Sequence, residues 1–404
     1  MKGDKSDWYI PRDWFLILSW HFLVPIIGIT IAMLLPALDK VRTEATSLFY
    51  TALILACIGA VLLFLARLPL YRQHKFFAFG PRLLSNGHRR LYWFSYGIIG
   101  VAVLLLAFFM MIGIGLSASG MPPTEADLTN TIAALTVLQK PLEKPSSSDW
   151  LAHHPEKGQT FREYISAVGP SAIVSGKRIY IQPLGDFLES QWKVLTTTAD
   201  YLRCFYNLPV TIDDAVELSS VPAAARRQNP NGDQEQILTT YVLDRIARPN
   251  VPPDAAAYLV LTTSDLWAGD DWNFVFGQAS LKERVGVFSL YRNGNPDKKE
   301  KEYRLYLLRT MKTAAHEVGH MLGLQHCVRY RCGMNGSNHR AEADRRPLWF
   351  CSECTAKVCW ITQTSPLDYC QRLEEFCERE GFHEEAEFYR KSKSLLLSLP
   401  YNAR

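Results

Sequence analysis

The sequence predicts an α/β domain, a mixed sheet with packing helices, preceded by three transmembrane helices. Three observations predict it. Long apolar runs crowd the first 120 residues, strand-like and helical stretches alternate from residue 177 onward, and a Pro- and Ser-rich stretch separates the two. This reading divides the chain into a membrane domain (1–120), a linker (121–176) and a C-terminal domain (177–404). With 404 residues, 48% of them hydrophobic, the chain can build more than one unit. The net charge is only +4 and the basic residues form no long stripe, which argues against a nucleic-acid partner.

Three runs, residues 14–38, 47–66 and 92–116, are each near the ~20 residues that a spanning helix requires, and almost no charge interrupts them. Trp14, Trp20, Tyr92 and Trp93 suit interfacial positions, and Pro25 is tolerable where neighbours satisfy the freed carbonyl. The first run is too long for a signal-peptide core, and two more follow it. Loop charge sets the orientation. Lys2, Lys5 and Arg12 precede the first run. The first loop carries only Lys40 and Arg42, and the second carries Arg67, Arg72, Lys75, Arg82, Arg89 and Arg90. After the third run there is no Lys or Arg before Lys140. The positive-inside rule puts the N-terminus and second loop in the cytoplasm. The chain then reads as an integral membrane protein, in contact with lipid through three helices, with its C-terminal domain extracytoplasmic. A cytoplasmic domain is the competing expectation, because the cysteines argue the other way.

Residues 121–176 read as a connector. MPPTEAD and KPLEKPSSSD have the composition of tethers, with a short helix candidate, TNTIAALTVLQ, between them. His153 and His154 read as an exposed pair. Beyond them, KRIYIQPLG is a buried strand ending in a turn, and FLESQWKVLTTTADYLRCFYN an amphipathic helix. LPVTIDDAVEL is a second strand candidate, and residues 234–248 fit another helix. AAAYLVLTTSDLW is an apolar strand running into a polar turn, and NFVFGQASL and RVGVFSLYR are two further β-rich runs. YRLYLLRTMKTAAHEVGHML has helical spacing, and LDYCQRLEEFCEREGFHEEAEFYRKSKSLLLSL reads as two helices of mixed charge. Strands alternating with helices point to a sheet packed by helices.

The run HEVGHMLGLQHC, residues 316–327, carries the chemistry. On a helix, His316 and His320 share one face, and a rise of ~1.5 Å per residue brings their rings within reach of one ion. Zinc takes neutral imidazole nitrogens in tetrahedral geometry. Glu317 lies one step round the helix, where a carboxylate can take a proton from a water that zinc activates. Gly323 can adopt positive φ, so the helix can stop and the chain can return His326 as a third ligand. HExxH alone could be ordinary helix residues; in the longer run His, Glu, His, Gly and His must all coincide.

Seven of the nine cysteines fall between Cys327 and Cys377. Cys327 and Cys332 are separated by four residues, and Cys351 and Cys354 form a CxxC. Two close thiolate pairs joined by a loop suit a closed tetrahedral zinc site that would fix the loop after His326. Disulfides are the competing reading, which an oxidising location would permit. Cys359, Cys370 and Cys377 are assigned no role.

HEVGHMLGLQHCVRYRCGM followed by CSEC resembles the archaemetzincin pattern: the long zinc motif, an immediate Cys, a second Cys, Gly-Met, then CxxC. IYIQPLG, LTTSDLW, NFVFGQAS and VGVFSLYR resemble the strands and edge segment of that family. The resemblance covers residues 177–404 and not the apolar runs, which the usual soluble members lack. It implies a metzincin-like zinc helix and a zinc metallopeptidase acting on a peptide or protein substrate. It implies His316, His320 and His326 on a catalytic zinc, Glu317 as general base, and Met334 in the hydrophobic base beneath the metal. Cys327, Cys332, Cys351 and Cys354 would bind a structural zinc, two ions per chain in all. The expected function is thus a membrane-anchored zinc metallopeptidase, with NFVFGQAS as an edge strand along its cleft. The alternative is a non-catalytic zinc-binding module presenting a peptide- or partner-binding surface; a glutamate beside three histidines weighs against it, because metal binding alone does not need one. An intramembrane protease does not fit, because the motif lies far beyond the last apolar run.

Overall fold

Strands that are apolar on both faces need cover on both faces, and the C-terminal unit is built round two of them, residues 255–262 and 285–289. The computed structural model of the chain describes residues 46–73, 81–118, 122–232, 234–270, 272–280 and 282–399. It divides into two compact units, Met1–Gly120 and Met121–Arg404.

In the first unit, helices α1 (Thr46–Arg72) and α2 (Asn86–Ala118) pack together. Gly59 permits their close approach, since a β-carbon there would lie 2.6 Å from Ile99 Cγ1. Among the described residues one helix is long and apolar enough to cross a membrane, over Ile54–Arg72, where three were expected. The first expected span, 14–38, lies outside the described residues, and the third falls within α2.

The second unit takes in residues that read as a linker. Helices α3 (Glu125–Leu135), α4 (Trp150–His153) and α5 (Phe161–Val168) lie there. Leu128, Leu135, Phe161 and Tyr164 are buried in the same core as the strands. The stretch is therefore part of the domain, because its few large apolar side chains find a shared core and its polar groups are bonded to it. Phe161 N–H donates to Glu353 at 2.7 Å, Trp150 N–H to Glu342 at 2.9 Å, and Leu142 N–H to the Arg329 carbonyl at 3.0 Å.

The strands are β1 (Arg178–Leu184), β2 (Val210–Ile212), β3 (Arg226–Gln228), β4 (Glu235–Leu238), β5 (Ala255–Thr262), β6 (Asp265–Trp267), β7 (Gly277–Ala279) and β8 (Val285–Ser289). Five form a mixed sheet in the order β2-β1-β5-β8-β7. The first four run parallel, and β7 pairs antiparallel with β8, Gln278 opposite Val287. Strands β3, β4 and β6 form a second, small sheet. Residues 234–248, expected as a helix, begin with β4 and turn helical only from Thr239.

Alternation along β5 divides the core in two. Leu259 and Leu261 face a layer made by α6 (Glu189–Tyr206) and α7 (Glu300–Met321), and Tyr258 and Val260 face the segment around Val242 and Ile246. Helix α6 ends at Asn207 in the left-handed conformation. After α7 come α8 (Arg340–Arg345), α9 (Ser352–Thr362), α10 (Pro366–Arg379) and α11 (His383–Leu397). The sheet edge β7 and the C-terminal end of α7 meet, and the candidate site lies at that meeting.

Candidate active site

Helix α7 supplies His316, Glu317 and His320. It ends in a Schellman turn: Gly323 sits at φ +88°, Leu324 N–H donates to Gly319 O at 3.0 Å, and Gly323 N–H to His320 O at 2.8 Å. The turn returns His326 to the other two histidines. One ring nitrogen of each lies within 4.8 Å of the others, and Nε2 of His316 and Nε2 of His320 are 3.0 Å apart.

The opposite nitrogens are all engaged. Nδ1 of His316 meets Gly333 O at 2.9 Å, Nδ1 of His320 meets Leu324 O at 2.7 Å, and Nδ1 of His326 meets the Glu156 oxygens at 2.9 and 3.0 Å. These acceptors assign the proton to Nδ1 in each ring, which leaves the Nε2 lone pairs converging. Burial pushes the His316 pKa well below its ordinary value and that of His320 down to about 4, so both rings are neutral donors. Three imidazoles with converging Nε2 atoms fit zinc, whose ~2.0 Å bonds set tetrahedral nitrogens ~3.3 Å apart.

Glu317 is buried one step along the helix, and burial raises its carboxyl to about 8 against the opposing pull of the Arg346 guanidinium. Strand β7 passes close by: a β-carbon on Gly277 would lie 2.6 Å from Glu317 Oε1. A cleft of about 400 Å³ opens there, lined by Phe274, Phe276, Gly277, Gln278, Trp150 and Arg346 among others. The run NFVFGQAS does supply this sheet edge.

Met334 is fully buried beneath the helix, and Gly319 makes room for it, since a β-carbon there would lie 2.7 Å from its sulfur. Cys327, Cys332, Cys351 and Cys354 converge next to it, all buried and all free thiols, with ligand atoms within 4.8 Å of one another. The sulfurs of Cys327 and Cys351 are 3.7 Å apart. Tetrahedral thiolates at ~2.3 Å from zinc stand ~3.8 Å apart, whereas a disulfide bond is ~2.05 Å. Hydrogen bonds from Cys332, Cys351 and Cys354 hold the Cys327 thiol well below its ordinary range. Asn335 ties the loop by donating to the carbonyls of Cys327 at 2.6 Å and Tyr330 at 2.9 Å. Cys359, Cys370 and Cys377 are free and buried in the core, where burial raises their thiols.

Several residues at the site were not singled out from sequence. Arg346, buried, donates through Nη1 to Asn335 O at 2.8 Å and lies 3.3 Å from His316 Nδ1. His154, expected to be exposed, is half-buried, tilted against Trp150 with ring centroids 4.0 Å apart and stacked on Trp272 at 5.9 Å. Glu156 reaches His326 from the segment expected as a linker. A third group, Asp149, His339 and Glu342, is taken up by structural bonds: Asp149 pairs with Arg345 at 2.6 Å, and Glu342 accepts from the Trp150 and Asn338 backbones.

The model of peptidase family M54 matches residues 253–359. Archaemetzincin-2 of Rattus norvegicus is 37% identical over 253 residues, covering 55% of this chain and 70% of the relative. Archaemetzincin of Archaeoglobus fulgidus is 33% identical over 181 residues, covering 45% of this chain and 98% of the relative. A crystal structure of that archaeal archaemetzincin aligns at 31% identity and a TM-score of 0.36, covering 45% of this chain and 99% of the other.

Proposed function

This chain belongs to the archaemetzincin family of zinc-dependent metallopeptidases, and we propose that it hydrolyses peptide bonds in the cleft over Glu317. In this reading His316, His320 and His326 hold the catalytic zinc, and Cys327, Cys332, Cys351 and Cys354 hold a second, structural one. The carrying observation is a buried carboxyl beside three imidazoles whose free nitrogens converge, facing a cleft bounded by a sheet edge.

When bound, zinc supplies Lewis acidity that polarises the scissile carbonyl and acidifies water. Glu317 takes the proton of the attacking water and passes it to the leaving amine as the C–N bond breaks. Strand β7 offers its free edge to an extended peptide, which can add to the sheet through backbone hydrogen bonds. Gly277 keeps that edge flush with Glu317. Met334 fills the space under the helix and keeps the histidine bearings fixed.

We also propose that the first unit anchors the peptidase in a membrane, with the peptidase domain extracytoplasmic. In support, Ile54, Val61 and Phe64 of α1 and Val101, Val103 and Leu104 of α2 are all at least half exposed. That is more apolar surface than a water-facing pair of helices normally carries.

The test of the catalytic reading is digestion of a peptide library by the full chain and by Glu317→Gln, with zinc counted in both. Cleavage lost by ~10³-fold or more with zinc retained is expected. Cleavage that persists with zinc bound overturns the base assignment.

A further inference from the structure

Glu156 lies 170 residues before His326 in the chain and outside the M54-matched residues, yet its carboxylate meets His326 Nδ1 with both oxygens, at 2.9 and 3.0 Å. The other two histidines need no such help. His316 and His320 are held on a helix, and their Nδ1 atoms donate to backbone carbonyls. His326 stands after the turn, outside any helix or strand, and its Nδ1 has a side chain as its acceptor.

The carboxylate is itself held in place. Trp150 Nε1–H donates to Glu156 Oε1 at 2.9 Å, and the Trp150 ring meets His326 edge-on at 5.3 Å. Trp150 can lie there only because residue 336 is glycine, where a β-carbon would fall 2.4 Å from its ring. A carboxylate that accepts from the outer nitrogen of a metal-binding histidine fixes its tautomer and orientation and makes the ring a better donor.

Given the three-histidine zinc site proposed above, we infer that Glu156 is a positioning residue for His326, so that the segment from Trp150 to Glu156 completes the metal site rather than tethering it. Glu156 locks the ring with Nδ1–H toward the carboxylate and Nε2 toward the ion. An incidental ion pair would pin the segment to the domain and leave metal affinity alone.

The test is zinc affinity, measured on the full chain in mild detergent by competition with a chromophoric chelator. In Glu156→Ala the weaker of the two zincs should bind ~10–100-fold less tightly, and the other should be unchanged. The zinc-stripped variant should melt as the zinc-stripped wild type does, which separates positioning from general structural damage. Glu156→Gln keeps shape and an acceptor oxygen and should still lose several-fold, so it carries the test if the alanine variant does not fold. Wild-type zinc affinity in a folded variant of either kind overturns the inference. His320→Ala separates the two claims: a full zinc complement in it defeats the three-histidine site, whereas one zinc lost there, with Glu156 variants normal, defeats only the role of Glu156.

Discussion

A β-carbon on Gly277 would stand 2.6 Å from Glu317 Oε1 and 2.9 Å from Phe288 Cβ, so the sheet edge and the buried carboxyl are fitted to each other with no space between. The glycine is wedged between the Glu317 carboxyl and the neighbouring strand.

Gly277→Ala is therefore expected to push Glu317 or β7 aside. A displacement of ~1 Å at a reacting group can cost ~10²-fold in rate. Steady-state kinetics on a cleaved peptide should show kcat falling on that order with both zincs retained. Unchanged kcat would mean that β7 yields freely and that its closeness to Glu317 is not functional.

Cys351→Ser with Cys354→Ser is expected to remove one zinc per chain and to loosen the loop that carries Met334. Gly333 O, the acceptor for His316 Nδ1, belongs to that loop, and Cys327 N–H donates to Met334 O at 2.8 Å. Peptidase activity should fall with the metal. Elemental analysis showing an unchanged zinc count would defeat the structural-site assignment.

What could be read from sequence and what could not divides along chain distance. The three histidines lie within eleven residues, so helical spacing and one glycine turn suffice to bring them together. Strands β5 and β8 are buried at every position, so each is a nearly plain apolar run, and β1 is legible from its alternating Ile179 and Ile181. Strand β4 is only four residues long, and the helical residues that follow it obscured it. Residues 121–176 read as a tether because MPPTEAD and KPLEKPSSSD carry loop-type residues. Two capping boxes in it, Thr124 with Asp127 and Thr160 with Glu163, were legible signals of helix starts. Glu156 with His326, and Arg346 with His316, join residues that no local pattern connects.

A reporter fused after Arg404 tests the orientation set by loop charge. The basic second loop, with Arg82, Arg89 and Arg90, should stay cytoplasmic and the fusion should read as extracytoplasmic. A cytoplasmic signal would reverse the topology. It would also place the four thiols in a reducing compartment, where zinc rather than a disulfide is the ordinary outcome.

Lys312, on α7 one turn before His316, is buried at 8% exposure, and desolvation lowers its ammonium to about 8 from an ordinary 10.5. The Arg346 and Arg309 charges lower it further, while Glu385 and Asp344 pull the other way, and Nζ donates to the Asp344 carbonyl at 3.3 Å. Between pH 8 and 10.5 the unfolded chain holds this proton more tightly than the folded one, so this group makes stability rise with pH across that window. Below pH 8 the cost of the buried charge is fully present. Lys312→Met keeps the length and drops the charge, so it should stabilise the protein near pH 7 by on the order of 2 kcal/mol, a Tm gain of several degrees. The gain should fade as pH approaches 10.5. Tm differences between variant and wild type at pH 7 and at pH 10.5 decide it: a loss at pH 7 would mean that the Lys312 contacts with Asp344 and Glu385 outweigh its desolvation, and an equal gain at both would mean that the gain does not come from the buried charge.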